Sequence, residues 1–374
     1  MKTKAAVLHG VGEEWKVMEV DLGDPVEGEV QVRLTSSGMC HSDHHIRTGQ
    51  SPVPFPVVGG HEGAGIVSKV GRGVTRLAEG DHVVTAFIPA CGVCKPCSMG
   101  LQNICDEGAG LLTGLSISDK THRITVGGVG ATQMCLLGTF SPYITVNQAS
   151  LVKVEDDIPL RSAALLGCGV ATGWGSATAI GNAKVGDTVV VVGIGGVGIN
   201  SVQGARAAGA RFVVAVDPVE FKRTEALKFG ATHAFASIEE AAATIGEITW
   251  GEMANVTVLT VGEMTGDIIA PSMSITAKGG TVVVVGMGDY ANTSVTLSLF
   301  ELTLLQKRLQ GAIFGGVGPR TQIPALLNHY RSGALKLDEL ITRTYRLEDI
   351  NQGYDDMLDG KNLRGVIEYT DADY

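Results

Sequence analysis

The stretch from Thr188 to Asp217, TVVVVGIGGVGINSVQGARAAGARFVVAVD, constrains this chain more than any other. Its opening run, Val189 to Val192, is apolar and β-branched without alternation, the pattern of a strand buried on both faces of a parallel sheet. Gly193, Gly195 and Gly198 follow at G-x-G-x-x-G spacing. In that pattern the first glycine permits a tight turn and the second lets backbone approach a pyrophosphate. The third lets the following helix pack closely on the strand. Gly196 and Val197 complete the turn, and the helix that follows faces a phosphate with its free N–H groups. A second strand, Phe212 to Val216, runs into Asp217, where a carboxylate meets the adenosine ribose hydroxyls and repels a 2′-phosphate. Three glycines alone mark many tight turns. Strand, turn, helix, strand and terminal acid in this order read as an NAD site.

The texture continues downstream. Val256 to Thr260 and Thr281 to Val285 read as further strands, with EEAAATIGEITWGEMA as a helix between the halves. Two such halves make a doubly wound parallel sheet, so the fold class is α/β. The first third differs: Lys4 to Leu8, Glu29 to Thr35, Gly65 to Val70 and His82 to Ala86 read as short strands punctuated by turn residues. From Arg161 the chain turns to small-residue helix, SAALLGCGVATGWGSATAI, which leads from one region to the other. After Gly311 the chain passes through the helix-like EDINQGYDDMLDG and ends in a strand, LRGVIEY, expected to return to the first region. This gives a β-rich domain over 1–169, a nucleotide-binding domain over 170–313 and a return segment over 314–374. A length of 374 residues suits two domains. The net charge of -10 argues against nucleic acid or an anionic membrane surface as partner. No apolar run has signal-peptide or membrane-span length, so a cytoplasmic location is expected.

Four of the seven cysteines crowd together at Cys91, Cys94, Cys97 and Cys105. Thiols so spaced wrap one tetrahedral zinc, and a closed four-thiolate shell leaves no open position, so a site in the lobe 91–105 is structural. A second set is scattered: Cys40 in SSGMCHSDHH, His61 in GGHEGAG and Cys168 in LLGCGVATG. Spacing leaves each of these open between metal ligand and ordinary core residue. Glycines crowd His61 and Cys168, and an acid, Glu62, follows His61 in an otherwise apolar stretch.

The segment GHEGAGIVSKVGRGV, with the four-cysteine lobe, the GIGGVG turn and the terminal GKNLRGVIEY, resembles the zinc-dependent alcohol dehydrogenases of the medium-chain dehydrogenase/reductase superfamily. The resemblance covers essentially the whole chain. It implies a GroES-like first domain, a Rossmann second domain and hydride transfer between an alcohol or aldehyde and NAD(H). It further implies two zinc ions per chain, the catalytic one on Cys40, His61 and Cys168 with Glu62 behind it. A proton relay through Ser42 and His45 is implied, as are cofactor contacts from His41, Lys222 and Arg364, the last two at the ribose and the pyrophosphate. Phe87 falls where the family places an apolar wall of the substrate pocket; Met134 and Cys135 are further candidates for that wall, with core packing the simpler account of both. Within the family, MKTKAAVL, AFIPACGVC and TLLQKRLQGAIFGG are most similar to the NDMA-dependent alcohol dehydrogenases. Several of those are nicotinoproteins, which hold NAD(H) tightly and are reoxidised in place, in some cases with mycofactocin as the electron carrier, so a separate, mycofactocin-like acceptor is implied as a partner. A homo-oligomer, most simply a dimer, is expected.

Two other readings compete. A glutathione-dependent formaldehyde dehydrogenase needs a basic group for the glutathione carboxylate, and the loop DEGAGLLTGLSIS has none. A zinc-stabilised dinucleotide-binding protein without catalysis would hold one metal per chain rather than two.

Overall fold

The computed structural model describes all residues, Met1–Tyr374, and divides them into two compact units, 1–168 with 318–374 and 169–317. The first unit is β-rich. Five strands close a barrel in the spatial order Lys2–Leu8, Lys16–Leu22, Ile124–Val126, Val129–Gln133 and Val57–Val58. A seven-stranded sheet runs Leu151–Lys153, His82–Thr85, Glu62–Val70, Glu29–Gly38, Arg364–Glu368 and Ile341–Tyr345, with Tyr143–Asn147 also paired to Glu29–Gly38. Inward-pointing Val30, Val32 and Leu34 of the long strand meet Val67, Val83, Ile144 and Ile367 of its neighbours in the main core. That alternation is what a sheet with one buried face requires. The return segment is therefore an integral part of this unit, because its strand Arg364–Glu368 lies against Glu29–Gly38.

In the second unit six parallel strands form one sheet: Thr188–Val192, Phe212–Val216, His233–Phe235, Ala254–Leu259, Thr276–Val284 and Arg308–Gly311. Numbered in that order, they lie in space as 3-2-1-4-5-6, the doubly wound arrangement whose order reverses beside the first strand. Thr188–Val192 is buried along its whole length, between Phe212–Val216 and Ala254–Leu259.

Two helical expectations change. The helix expected through Ala254 starts at Ile238, capped by Ser237, and ends at Ile248. Trp250 and Met253 take positive φ, and Ala254 already opens the next strand. The small-residue helix beginning at Arg161 is interrupted at Cys168, where φ is -151° and ψ -80°. Before it come Leu160–Ala163 and a tighter turn Ala164–Gly167; after it, Gly169–Gly175 resumes. Gly167 sits so close to the Thr85 carbonyl that a Cβ would stand 2.6 Å from that oxygen, and packing there wins over helical continuity. No single helix is long and apolar enough to cross a membrane.

Candidate active site

Strand register assembles the first cluster. Gly38 is paired with Glu62 on one side and Val366 on the other. Residues just beyond the paired ends, Cys40, His61 and Arg364, are thereby brought to one end of the sheet. Gly38 has no room for a side chain, since a Cβ would overlap the Glu62 carboxylate. The chain then enters the helix His41–Arg47, with Cys40 at its N-cap and Asp43 at the third helical position. Asp43 Oδ2 accepts the Cys40 N–H at 3.3 Å, which ties the helix start to the strand end. The break at Cys168 brings the remaining thiol. Ligand atoms of Cys40, His61, Glu62 and Cys168 all lie within 4.8 Å of one another.

Two thiols and an imidazole are a zinc donor set, and the Glu62 carboxylate lies close by. The Cys40 thiol is held well below its usual range, first by a hydrogen bond from Cys168 and then by the His61 charge, against its burial. Cys168 is driven well above its own range by that hydrogen bond and by burial. Cys40 is thus the more readily deprotonated of the two, and a metal held between them requires both sulfurs as thiolates.

Carboxylates surround this set. Asp43, fully buried, accepts the Gly60 N–H at 2.8 Å through Oδ1, which also lies 3.4 Å from His61 Nδ1. Burial alone would lower the His61 pKa, and the Asp43 and Cys40 charges raise it well above its usual value. Asp43 escaped the sequence reading because it stands among histidines in HSDHH, which reads as a solvated cluster. Its signal was the Cys40-to-Asp43 spacing of a helix cap. Glu62 is fully buried, which raises its pKa, and the Arg364 guanidinium opposes that rise. Arg364 is itself buried and donates to the Glu62 carboxylate and, at 3.1 Å, to the Met39 carbonyl. Its guanidinium, which the family resemblance directs to a pyrophosphate, is thus turned toward the carboxylate behind the metal set.

Ser42 Oγ lies 3.7 Å from Cys40 Sγ. His45, one turn along the helix, is buried, and its ring packs edge-on against that of His41 at 5.7 Å. The Phe87 ring stands edge-on to His61 at 5.9 Å. Met134 is buried in the main core, with Cys135 packed partly against it. Cys135 takes a left-handed backbone (φ 52°), and burial pushes its thiol up to about 11.

The four-cysteine lobe forms a second cluster, with all four sulfurs within 4.8 Å of one another. Backbone N–H groups point at them: Val93 and Cys94 donate to Cys91 Sγ at 3.5 and 3.3 Å, and Cys91 donates to Cys105 Sγ at 3.4 Å. Such donors stabilise thiolates. They bring Cys91 down to about 7 against the opposing effect of burial, whereas burial pushes Cys105 up to about 12. All seven cysteines are free thiols.

In the second unit, the turn after Thr188–Val192 divides its glycines by environment. Gly193 has φ +88°, and a Cβ there would meet the Val261 N–H at 2.7 Å. A Cβ on Gly198 would overlap the Gly193 carbonyl, whose oxygen accepts the Thr260 hydroxyl at 2.5 Å. Nothing of the protein lies within 4 Å of a Cβ on Gly195. That open side is where a pyrophosphate can approach backbone. Gly196 and Val197 lead into the helix Gly198–Ala207, and Gly196 accepts the Asn200 side-chain amide at 2.8 Å. Asp217 Oδ2 accepts the Ile194 N–H at 2.7 Å and Oδ1 the Val219 N–H at 2.9 Å, which fixes the carboxylate beside the turn with lone pairs to spare. Lys222 stands half-buried on the helix Glu220–Lys228. Its neighbour Arg223, which spacing did not single out, donates to the Asp217 and Pro218 carbonyls at 2.8 and 2.7 Å.

Residues 26–156 match the family described as Alcohol dehydrogenase GroES-like domain, and 196–332 the family Zinc-binding dehydrogenase. Over 374 residues, the whole of both chains, the sequence is 52% identical to Alcohol dehydrogenase B of Mycobacterium tuberculosis. The chain belongs to the zinc-dependent alcohol dehydrogenases. Within that family it is 50% identical over 370 residues to the NDMA-dependent alcohol dehydrogenase of Amycolatopsis methanolica, covering 99% of this chain and 100% of that one. The crystal structure of benzyl alcohol dehydrogenase from Acinetobacter calcoaceticus superposes with a TM-score of 0.91 at 30% identity, covering 99% of this chain and 100% of that one. As a medium-chain alcohol dehydrogenase, the chain is an oxidoreductase with a GroES-like and a Rossmann domain.

Proposed function

We propose that this alcohol dehydrogenase oxidises primary alcohols with two zinc ions per chain and an NAD(H) that stays bound through turnover. The observation that carries the reading is the Cys40, His61, Cys168 set, with Glu62 and Arg364 paired behind it. Three protein ligands leave a position for the substrate oxygen, and zinc held there supplies Lewis acidity to that oxygen. NAD, held at Gly193, Gly195 and Gly198 with Asp217 at the ribose, supplies the hydride acceptor.

The remaining work falls to side chains. Asp43 orients the His61 ring, and the Arg364 charge keeps Glu62 from competing as an unbalanced buried anion. Ser42, beside Cys40, takes the alcohol proton, and His45 passes it on toward solvent. Phe87, against the His61 ring, forms an apolar wall for the alcohol, with Cys135 beside it. His41 and Lys222 add cofactor contacts. The lobe 91–105 holds the second, structural zinc.

The relative whose name states NDMA dependence supports a separate electron acceptor rather than release of NADH, and a mycofactocin-like molecule is the acceptor proposed. Leu299, Phe300 and Leu304 are exposed near the edge strand Arg308–Gly311, which supports a homodimer formed along that edge. Both proposed metal sites need their cysteines reduced, which suits the cytoplasm. The test is nicotinamide absorbance of extensively dialysed protein as primary alcohols are added, first without and then with excess NAD. A stoichiometric rise without added NAD and no steady turnover with it is expected. Steady turnover only with added NAD overturns the bound-cofactor reading. One zinc per chain by elemental analysis overturns the two-metal reading.

A further inference from the structure

The four-cysteine lobe is pressed against the start of the helix Pro319–Arg331. Gly318, its N-cap, meets Gln102 of the lobe: a Cβ there would stand 2.7 Å from Gln102 Oε1. Two residues on, Arg320 crosses to the other side of the lobe. One of its terminal nitrogens lies 3.2 Å from where a Cβ on Gly92 would stand, and Gly92 follows Cys91 directly. Gly92 holds φ +87°, so the approach depends on glycine there. The Arg320 Nε and this Nη2 are buried and have no hydrogen-bond partner. Arg76 approaches the same place. It donates to the Gln148 carbonyl at 3.1 Å and feels the charges of both Arg320 and Cys91. Neither arginine is ion-paired to a carboxylate, unlike Arg123 with Glu29 or Arg364 with Glu62 in the same unit.

A guanidinium with two buried nitrogens idle, within electrostatic reach of a second guanidinium, is costly unless negative charge lies close by. Four thiolates around one Zn²⁺ carry a net charge of about -2. We propose that Arg320, with Arg76 outside it, is the counter-charge of the four-cysteine lobe and holds zinc there. The positive end of the helix Pro319–Arg331 acts in the same sense. The inference rests on the lobe being a zinc site and assigns two residues, far from the cysteines in sequence, to keeping it loaded. Their removal leaves the net negative charge of the loaded lobe without its counter-charge, so zinc leaves faster.

The test compares zinc release from the purified holoenzyme into excess chelator for wild type, Arg320→Gln, Arg76→Gln, the double variant and Arg320→Lys. Alkylation of released thiols, mapped to peptides, separates Cys91, Cys94, Cys97 and Cys105 from Cys40 and Cys168. Loss of an outer-shell partner costs roughly 10- to 100-fold in metal affinity. Release from the lobe is therefore expected to quicken by roughly 10- to 100-fold in the double variant, with Cys40 and Cys168 alkylated at the wild-type rate. Arg320→Lys, which keeps the charge, is expected to stay close to wild type. Arg331→Gln, whose partners are Asp157 and Glu155, is the control and should release zinc as wild type does. Wild-type release from the double variant overturns the proposal. So does Arg320→Lys releasing as fast as Arg320→Gln, which would mean packing rather than charge. So does wild-type release slowed by inorganic phosphate at fixed ionic strength, which would mean the arginines serve a free anion. Should the double variant not fold, Arg76→Gln, at an exposed residue, carries the same comparison. A wild-type lobe without zinc is a different failure, visible before any variant is made.

Discussion

Asp43→Asn is the substitution that most directly tests how the Cys40, His61, Cys168 set is held. Both carboxylate oxygens are in use. Oδ1 accepts from Gly60 at 2.8 Å and faces His61 Nδ1 at 3.4 Å, while Oδ2 accepts from Cys40 at 3.3 Å. Asparagine keeps one acceptor and turns the other into a donor. Whichever way the amide sits, an N–H of Cys40 or of Gly60 then confronts another N–H with no water in reach, since Asp43 is fully buried. Leaving one buried donor unsatisfied costs about 1–3 kcal/mol. The loss of negative charge beside His61 acts through the metal instead, and outer partners of this kind are worth roughly 10- to 100-fold in affinity. That is about 1.4 to 2.7 kcal/mol. The two routes agree in size, so zinc affinity at this set should fall by at least roughly tenfold. The assay is zinc occupancy in buffers of fixed free zinc, with alkylation of Cys40 and Cys168 reporting this set and Cys97 the lobe. Unchanged occupancy at Cys40 and Cys168 would refute the argument that Asp43 positions the imidazole.

Gly195→Ala should leave stability unchanged and weaken NADH binding, because its Cβ meets only open space on the cofactor side. Gly198→Ala should instead destabilise the second unit by about 1–3 kcal/mol, since its Cβ overlaps the Gly193 carbonyl; melting and NADH fluorescence separate the two, and the reverse order would sink the reading. Cys40→Ala should lose one zinc and all alcohol oxidation at nearly wild-type melting temperature, whereas Cys97→Ala should lose the other zinc and chiefly stability. Equal melting of Cys97→Ala and wild type would speak against a structural metal. His44 is brought down to about 4 by burial, then by His41, Arg47 and His45. Below its ordinary 6.5 the unfolded chain takes a proton that the folded chain refuses, so stability falls from pH 6.5 toward about 4 and levels off below. Discounted for partial exposure, the loss is about 1–2 kcal/mol. His44→Gln should flatten that limb in pH-dependent urea unfolding, and an unchanged limb would assign it elsewhere.

Local signals carried the fold class. The unalternating valines of Thr188–Val192 and the glycine turn after them need only neighbours in sequence, and so do most strands of the first unit. Boundaries failed where contacts between distant residues decide. The helix after Ser237 stops at Ile248 because the chain must turn at Trp250 to enter a central strand, and composition there still reads as helix. The break at Cys168 owes its place to Gly167 against the Thr85 carbonyl, which no periodicity announces. In the candidate site, the structure brings Cys40, His61 and Cys168 together with Glu62, as their family positions imply. Asp43 was hidden among residues that look solvated, and the Glu62–Arg364 pair joins positions 302 apart in sequence. Only the register of Glu29–Gly38 with both of its neighbours reveals it. Arg320 and Arg76 were silent for the same reason, since a charge announces its partner only when the chain has folded.

The central strand has a consequence for how the molecule is made. Glu29–Gly38 takes one neighbour from Glu62–Val70, soon after it in the chain; on its other side Tyr143–Asn147 covers Glu29 to Arg33, and Arg364–Glu368 covers Ser36 to Gly38. On a ribosome the first unit must wait, with Ser36 to Gly38 unpaired on one side, while the contiguous second unit is synthesised and is free to fold. During that wait Glu62 is without its guanidinium, and the nascent chain presents a carboxylate and two thiols unguarded. A chain stopped before Arg364 would carry every residue of the metal set and still lack the cation that balances it. Completion of the active site thus waits for a strand that follows the whole second unit in the chain, so balanced charge behind the metal set comes well after its ligands have appeared.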